Sequence, residues 1–418
     1  MYFHKNYLIM TETDQIRGEV LMIVREEYLN KLISLKDKQL IKVVTGMRRS
    51  GKSTLFTLYR DYLLSNGVSS RQIQFYNFED ADNEELSDYK VLHEHIKARL
   101  VKNKMNYIFL DEIQNVPSFE KAVDSLFIKE NVDLYITGSN AYMLSGELAT
   151  LLSGRYIEIQ MQPLSLKEYS TAFPNLGASE LFRQYIANSS FPYTIELIDD
   201  PKNVRDYLDG LYNTVIVKDI SDRKKMTDTR QLKRVFRFMA DNIGNLVSIK
   251  KISDTMSADK QDISTHTVES YLSYLEESFL LYSVPRYDIK GKDYLRTGEK
   301  YYLADVAFRS LLLGDKKQDY GHVLENIVYL ELRRRGYQIF VGKSGNQEVD
   351  FVAFKGSDTE YYQVALSVLD EQTLKRELGA LESIADHNPK FLITLDPFPV
   401  TSHNGIKQIN ALDWLLQK

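Results

Sequence analysis

An α/β fold led by a parallel sheet is what this 418-residue chain predicts, and three observations carry that reading. The first is the short apolar run Leu40-Ile41-Lys42-Val43-Val44. It is followed by the glycine-rich stretch Gly46-Met47-Arg48-Arg49-Ser50-Gly51-Lys52-Ser53 and a segment of helical apolar spacing, Leu55 to Leu64. The second is Tyr107-Ile108-Phe109-Leu110-Asp111-Glu112, four apolar residues ending in paired carboxylates. The third is the alternation of such runs with helical stretches, which reads as strand–helix units and hence as parallel strands.

Gly46 to Ser53 has the spacing G-x-x-x-x-G-K-[ST] of a phosphate-binding loop. Gly46 and Gly51 let the backbone curl so that successive N–H groups point at one anion. The helix N-terminus that follows adds unpaired donors and the positive end of a dipole. Lys52 is placed to reach the β- and γ-phosphates, and the Ser53 hydroxyl to bind Mg²⁺. ATP with Mg²⁺ is therefore the expected cofactor, held by Gly46, Arg49, Ser50, Gly51, Lys52, Ser53 and Thr54.

The chain is 43% apolar and 27% charged, an ordinary globular composition, and its length suggests about three domains. The net charge of −5 points to no global nucleic-acid surface. There is no cysteine, which excludes disulfides, thiolate zinc sites and cysteine nucleophiles and fits a reducing, cytoplasmic compartment. No apolar run approaches the roughly 20 residues of a membrane span. Residues 1–10 are too short and too aromatic for a signal peptide; they read as a tail, or as an upstream start with Met10 as the true beginning.

Residues 20–162 read as the first domain. Glu19 to Leu35 has helical spacing ahead of the first strand. After the loop and its helix, Arg71 to Phe78 is a second strand and Val91 to Val101 a helix. The strand ending in Asp111-Glu112 resembles a Walker B strand. Asp111 at its tip would hold Mg²⁺ through water, and Glu112 would polarise the attacking water. Ile73–Phe78 reads as the extra strand of the P-loop division that uses a catalytic Glu, which argues against GTPase-like and small-kinase arrangements. Pro117 to Phe127 is a helix. Val132 to Asn140 is a strand that looks like a sensor strand, with Ser139 or Asn140 beside the γ-phosphate; a plain turn is the simpler alternative. Leu151 to Ile159 is a fifth strand, preceded within the run by Arg155. Arg155 is placed either to stabilise transferred-phosphate charge, in its own subunit or in a neighbour's, or to form a structural ion pair.

Gly-Met-Arg-Arg-Ser-Gly-Lys-Ser-Thr at 46–54, Phe-Leu-Asp-Glu-Ile-Gln at 109–114, Thr-Gly-Ser-Asn at 137–140 and Ser-Gly-Arg-Tyr at 153–156 together resemble the AAA-type ATPases of the AAA+ superfamily. The match is to the bacterial and archaeal branch with a C-terminal domain of unknown function related to restriction-endonuclease folds. It runs from about Val24 to the end. The resemblance implies ATP binding and hydrolysis through Lys52, Ser53, Asp111, Glu112 and Ser139. It also implies a nucleic-acid or protein partner, no membrane, and a homo-oligomer.

Residues 163–228 resemble the helical lid of such an ATPase. Pro163 breaks the last strand, Ser165 with Glu168 has capping-box spacing, and Leu181–Ala187 and Val204–Ile220 read as helices. Residues 229–304 resemble a winged helix-turn-helix. Helices are expected at 231–240 and 264–277, with wing strands near 280–284 and 300–303. DNA contact would run through Lys233, Arg234, Lys250 and Lys251. The 264–277 helix carries Glu269, Glu276 and Glu277 and no Lys or Arg, which favours packing or oligomer contacts instead. His266 reads as a neighbour of a helix cap, with no partner at metal-ligand spacing.

Residues 305–418 look like a restriction-endonuclease fold. Gly321 to Tyr337 reads as an amphipathic helix ended by Gly336 after the basic turn Arg333-Arg334-Arg335. Strands follow at 338–341, 347–354 and 361–368, a helix at 374–386 and a strand at 390–395, with Trp414 in a terminal core piece. That fold's site needs an acid on the helix, an Asp at a strand tip and acid-x-Lys on the next strand. Glu325 and Asp350 match, with Glu348 beside them. Gln363-Val364-Ala365 replaces the third element, so no cleavage is expected, only weak metal binding. The arginine turn is left to touch phosphates. The whole reads as an ATPase coupling nucleotide state to a partner, or as an ATP-controlled assembly module of a defence or toxin-like system.

Overall fold

The computed structural model describes residues 22–141, 154–258, 263–314 and 319–417. The expected helix start at Glu19 and the Leu151–Ser153 part of the fifth strand lie outside them. The chain begins with α1 (Glu26–Ser34), β1 (Ile41–Thr45), α2 (Lys52–Ser65), β2 (Ile73–Asn77), α3 (Tyr89–Ala98), β3 (Asn106–Asp111), α4 (Phe119–Phe127), β4 (Val132–Gly138) and β5 (Tyr156–Gln160). The strands form one parallel sheet in the order β2-β3-β4-β1-β5. Every residue of β1, β3 and β4 is buried, because helices cover both faces. In space, β4 separates the loop strand β1 from β3. Ile73–Asn77, which intervenes in sequence, lies at the sheet edge and alternates in burial accordingly.

Two polar residues interrupt this apolar layer. Lys42 and Asp133 pair on neighbouring strands, both fully buried, and the Tyr135 hydroxyl donates to Asp133 at 2.7 Å. Burial disfavours both charges, pushing the lysine pKa down and the aspartate pKa up; they persist because each is the other's partner.

The lid comprises α5 (Leu166–Ser170), α6 (Ala178–Asn188) and α7 (Pro201–Thr214), the last continuing as a π-helical turn, Val215–Asp222. The capping box forms as expected: Glu168 N–H donates to Ser165 Oγ at 3.0 Å and Ser165 N–H to Glu168 Oε2 at 2.8 Å. Next come α8 (Arg230–Asp241), α9 (Ile249–Ala258) and α10 (Thr265–Glu277), then the hairpin β6 (Leu281–Asp288) and β7 (Asp293–Leu303). The rest is α11 (Ala307–Leu313), α12 (Tyr320–Arg334), β8 (Gln338–Ser344), β9 (Gln347–Lys355), β10 (Asp358–Val364), α13 (Glu371–Glu382), β11 (Lys390–Thr394), β12 (Thr401–His403), β13 (Ile406–Asn410) and α14 (Ala411–Leu416).

The hairpin expected as a wing belongs to the C-terminal sheet, whose order is β12-β13-β11-β10-β9-β8-β6-β7. β6 pairs in parallel with β8, and Leu281, Tyr282, Tyr302 and Leu303 are core. A boundary at 304/305 thus falls at the end of β7, within one continuous sheet.

α12 is not amphipathic: Val323 to Leu332 are all buried. Its arginine turn is also not a phosphate contact. Arg333 bonds the Gln160 side chain on β5 and stacks on Tyr282. Arg334 bonds Glu331 at 2.7 Å and the Pro163 carbonyl at 3.2 Å, and Arg335 bonds Glu331 at 2.9 Å over the Trp414 ring. Arg333 and Arg334 thereby fasten the C-terminal half to β5 and to the chain at Pro163, while Arg335 ties α12 to α14. Asp305 adds to the joint by accepting from Ser189 Oγ at 2.8 Å and from the Ser190 N–H and hydroxyl at 2.6 Å. Among the described residues no helix is long and apolar enough to cross a membrane.

Candidate functional site

Parallel strands deliver their C-terminal ends to one edge of a sheet, so the segments after β1, β3 and β4 meet there. After β1, the loop turns at Gly46 (φ +144°) and Gly51 (φ +100°), with Arg49 also left-handed at φ +66°. A side chain at Gly46 has no room, since its first carbon would lie 2.1 Å from the Met161 carbonyl oxygen. The buried Lys52 ammonium donates to the Gly46 and Met47 carbonyls at 3.1 and 3.2 Å and sits 3.4 Å from Glu112 Oε1. Arg25, ahead of α1, braces the loop from behind. It bonds the Ser50 carbonyl at 3.0 Å, Gln162 O at 2.8 Å and Glu168 at 2.7 Å.

Asp111 and Glu112 are both buried at the tip of β3. One hydroxyl that the sequence reading missed holds both. Thr137, at the end of β4, donates to Asp111 Oδ1 at 2.5 Å and accepts from the Glu112 N–H at 2.8 Å. Glu112 adopts φ +53°, which turns its carboxylate toward Lys52. Ser139 Oγ and Gln114 Nε2 donate to Glu112 Oε2 at 2.7 and 2.5 Å. Burial alone would raise the Glu112 pKa; Lys52, the two donors and the nearby Arg48 outweigh it and hold the carboxyl below its ordinary value. Asp111 goes the other way: burial raises its pKa despite bonds from Ser53 and Thr137.

Asp111 Oδ2 is buried and has no hydrogen-bond donor among the described residues. An orphaned carboxylate oxygen beside an exposed Ser53 hydroxyl suits a hard cation. The loop geometry and Lys52 suit a polyphosphate. The residues present therefore fit Mg²⁺ and a nucleotide. Ser50 is buried within the loop, whereas Arg49 and Thr54 are exposed. Asn140 is buried next to Ser139, at the end of the sensor-like strand.

Arg155 is not brought to this edge. Its carbonyl accepts from Ile41 N–H at the start of β1, so it stands at the opposite end of the sheet. There it pairs with Asp124 on α4 and lies over the Phe127 ring. A role for Arg155 at its own chain's phosphate loop is thereby excluded. The residue that does reach in is Arg48, bonded to Glu79 and 3.7 Å from Asp219 on the π-helical turn. Burial raises the Asp219 pKa to about 6 and Glu112 adds repulsion, while Arg48, Lys52 and Arg223 offset part of the rise. No motif flags Asp219, since its place depends on how the lid folds back.

The C-terminal acids converge as expected, but with an addition. Lys300, on β7, lies 2.8 Å from Glu325, 2.9 Å from Glu348 and 3.1 Å from Asp350. Gln363 accepts from the Asp350 N–H at 3.2 Å and donates to Glu377 at 2.8 Å. Glu325, Glu348, Asp350, Gln363 and Glu377, with Ala365, line a cavity of about 620 Å³, and Lys300 is buried behind the acids. His266 is exposed in the first turn of α10 behind its Ser264 cap.

Residues 38–170 match an AAA domain, and residues 179–319 a domain of unknown function (DUF8612). The chain is 42% identical over 402 residues to an uncharacterized protein of Haemophilus influenzae, covering 95% of this chain and 99% of that one. It is 31% identical over 365 residues to the uncharacterized protein MJ1544 of Methanocaldococcus jannaschii, covering 82% and 78%. Among solved structures it is similar to the Walker-type ATPase PABY2304 of Pyrococcus abyssi. There the TM-score is 0.50 at 12% identity, over 70% of this chain and 96% of that one.

Proposed function

The chain belongs to the family of AAA-domain proteins that includes these Haemophilus and Methanocaldococcus proteins, and from that premise we propose that it binds ATP with Mg²⁺ and hydrolyses it to drive a change in a macromolecular partner. The observation that carries this is the convergence of Lys52, Asp111, Glu112 and Ser139 at one sheet edge, with Thr137 holding the Asp111 carboxylate and the Glu112 backbone.

The Lys52–Glu112 contact is the resting state of that machinery. Phosphate oxygens are the better partner for the ammonium, so nucleotide binding draws Lys52 away and frees Glu112 Oε1. Ser139 and Gln114 keep the other oxygen aimed. Water attacking the γ-phosphorus gives up its proton to Glu112 as the bond to the β-phosphate oxygen breaks, leaving ADP and phosphate. Ser53 and Asp111 would hold Mg²⁺, which neutralises charge on the transferring oxygens.

Lys52→Ala removes the loop's buried ammonium and is expected to abolish nucleotide binding, read by fluorescent-nucleotide titration. Wild-type affinity in that variant would end the assignment of this loop as the nucleotide site.

The partner class is read from α8–α10. Lys250 and Lys251 are exposed, but Lys233 is engaged by Asn213 at 2.7 Å. Glu277 on α10 is taken by Arg223 and Lys224 at 2.6 and 2.9 Å. An α10 without a cation of its own favours a protein partner over groove reading of DNA. The nucleotide loop reaches the C-terminal half through Arg25, Glu168 and Arg334. Burial works against the Glu168 charge, yet the two arginines hold its pKa below the ordinary range. This is the route by which loop movement would reach α12.

Arg155 enters this reading as a residue acting on a neighbouring copy. Arg155→Ala is expected to bind ATP normally and hydrolyse it poorly, and mixing with Lys52→Ala protein to restore part of the phosphate release. Absence of rescue at every mixing ratio would leave Arg155 as the structural partner of Asp124.

A further inference from the structure

The C-terminal pocket contains a cation of its own. Lys300 is 2% exposed, and its ammonium lies among Glu325, Asp350 and Glu348. It comes from β7, not from the strand after Asp350, where Ala365 stands. Two further donors reach Glu325 and Asp350. Tyr302 donates to Glu325 Oε1 at 2.6 Å, and the Val364 N–H to Asp350 Oδ2 at 2.9 Å. Gln363 spends its amide on Glu377 and on the backbone of Asp350. Among the described residues no three His, Asp or Glu side chains form a set able to hold a metal ion.

We propose that the Lys300 ammonium takes the place of a divalent cation between Glu325 and Asp350, so that the pocket is closed to metal, and that losing this lysine converts it into a divalent-cation site. The argument is one of charge and distance. Glu325 Oε1 and Asp350 Oδ1 lie 2.8 and 3.1 Å from the same nitrogen. A Mg²⁺ or Mn²⁺ ion bridging those oxygens at roughly 2.1 Å would have to share the space of the ammonium. Two cations in van der Waals contact in a buried site repel strongly. Take the ammonium away and Glu325 Oε1 and Asp350 Oδ1 are left facing the vacated position, beside a cavity wide enough for an ion and its waters. That arrangement favours a hard cation.

An internal ammonium keeps the C-terminal carboxylates neutralised without a metal ion. The domain then keeps a nuclease-like arrangement of acids while serving as a rigid joint. Lys300 ties β7 to α12 and β9 in a single contact.

The test uses the full chain without nucleotide, carrying Asp111→Asn throughout to silence the loop site. Mn²⁺ binding is followed by electron paramagnetic resonance, and melting is recorded with and without Mn²⁺. The Asp111→Asn parent is expected to bind no Mn²⁺ in the pocket. Adding Lys300→Ala is expected to create one site at least about tenfold tighter than anything in the parent, with a melting temperature that rises on adding Mn²⁺. Further addition of Asp350→Asn should remove it. Lys300→Met, which keeps the volume, covers the case in which the alanine variant unfolds. A parent that binds Mn²⁺ in a manner lost with Asp350→Asn would overturn the proposal. So would two lysine variants that bind none, or that Mn²⁺ does not rescue. Metal-dependent nicking of plasmid DNA by the wild-type chain, lost in Lys300→Ala, would make the lysine a partner of the metal instead of its substitute.

Discussion

Glu112→Gln is expected to keep ATP binding and to slow hydrolysis by roughly 10²–10⁴, the usual scale for a lost general base. The amide retains the shape and can still accept from Ser139, so the loop and Lys52 should bind nucleotide as before. What it cannot do is take a proton from water. The geometry makes the effect large because the adjacent carboxylate, Asp111, is committed elsewhere. Asp111 is held by Thr137, and the oxygen it has left faces the proposed cation position. Lys52 and the two side-chain donors keep the Glu112 carboxyl below its ordinary range. The measurement is phosphate release beside nucleotide titration on the same preparation. Wild-type turnover in the Gln variant would remove Glu112 from its role.

Gly46→Ala is expected to lower stability by about 2–5 kcal/mol, the combined scale of backbone strain and overpacking. Nucleotide binding should fall with it. Two independent problems meet at this position. The backbone sits at φ +144°, which L side chains rarely adopt, and the added carbon would be 2.1 Å from the Met161 carbonyl oxygen. That carbonyl is backbone and cannot swing aside. The adjoining Met161 N–H bonds the Thr45 carbonyl at 2.7 Å, so relief means shifting β5 against β1. Gly51→Ala is the control. There the new carbon meets the Met161 methyl at 3.5 Å and Arg25 and Pro192 side-chain atoms at 3.8 Å, all ordinary contacts, leaving strain at φ +100° as the main cost. Thermal unfolding of both variants, with nucleotide titration, checks the ordering. Wild-type melting in Gly46→Ala would show that β5 yields more easily than its hydrogen bonds suggest.

The nucleotide site was legible because its signals are local. Gly46, Gly51, Lys52 and Ser53 sit within eight consecutive positions, and their backbone geometry is set by glycine and helix chemistry alone. Asp111-Glu112 was legible for a similar reason: an apolar strand must end somewhere, and two acids at its tip are a local mark. Thr137 was not. A threonine in a buried strand has many ordinary readings, and only the pairing of β3 with β4 puts its hydroxyl between the Asp111 carboxylate and the Glu112 N–H.

Elsewhere local charge misled. Three consecutive arginines look like an anion-binding turn, yet Arg333, Arg334 and Arg335 are the contacts that hold α12 to the rest of the chain. Long guanidinium side chains cross an interface well because the stem packs while the head finds carbonyls and carboxylates. Arg155 is a different case. Its motif neighbours left open the phosphates, of its own chain or a neighbour's, or a structural ion pair; it precedes a parallel strand, whose start lies a full strand length from the loop end, and there it pairs with Asp124.

Periodicity and loop chemistry, written in adjacent residues, were enough to specify the strand–loop–helix unit, the parallel sheet and the carboxylates that close its edge. The joining of β6–β7 to the C-terminal sheet, the lid's Asp219 beside Arg48, and Lys300 among Glu325, Glu348 and Asp350 were decided only by the folded chain. A strand's second edge must find some partner, and a buried charge must find its opposite. Sequence order does not say which of many candidates, 25 or 50 residues away, will be nearest when the apolar faces have packed.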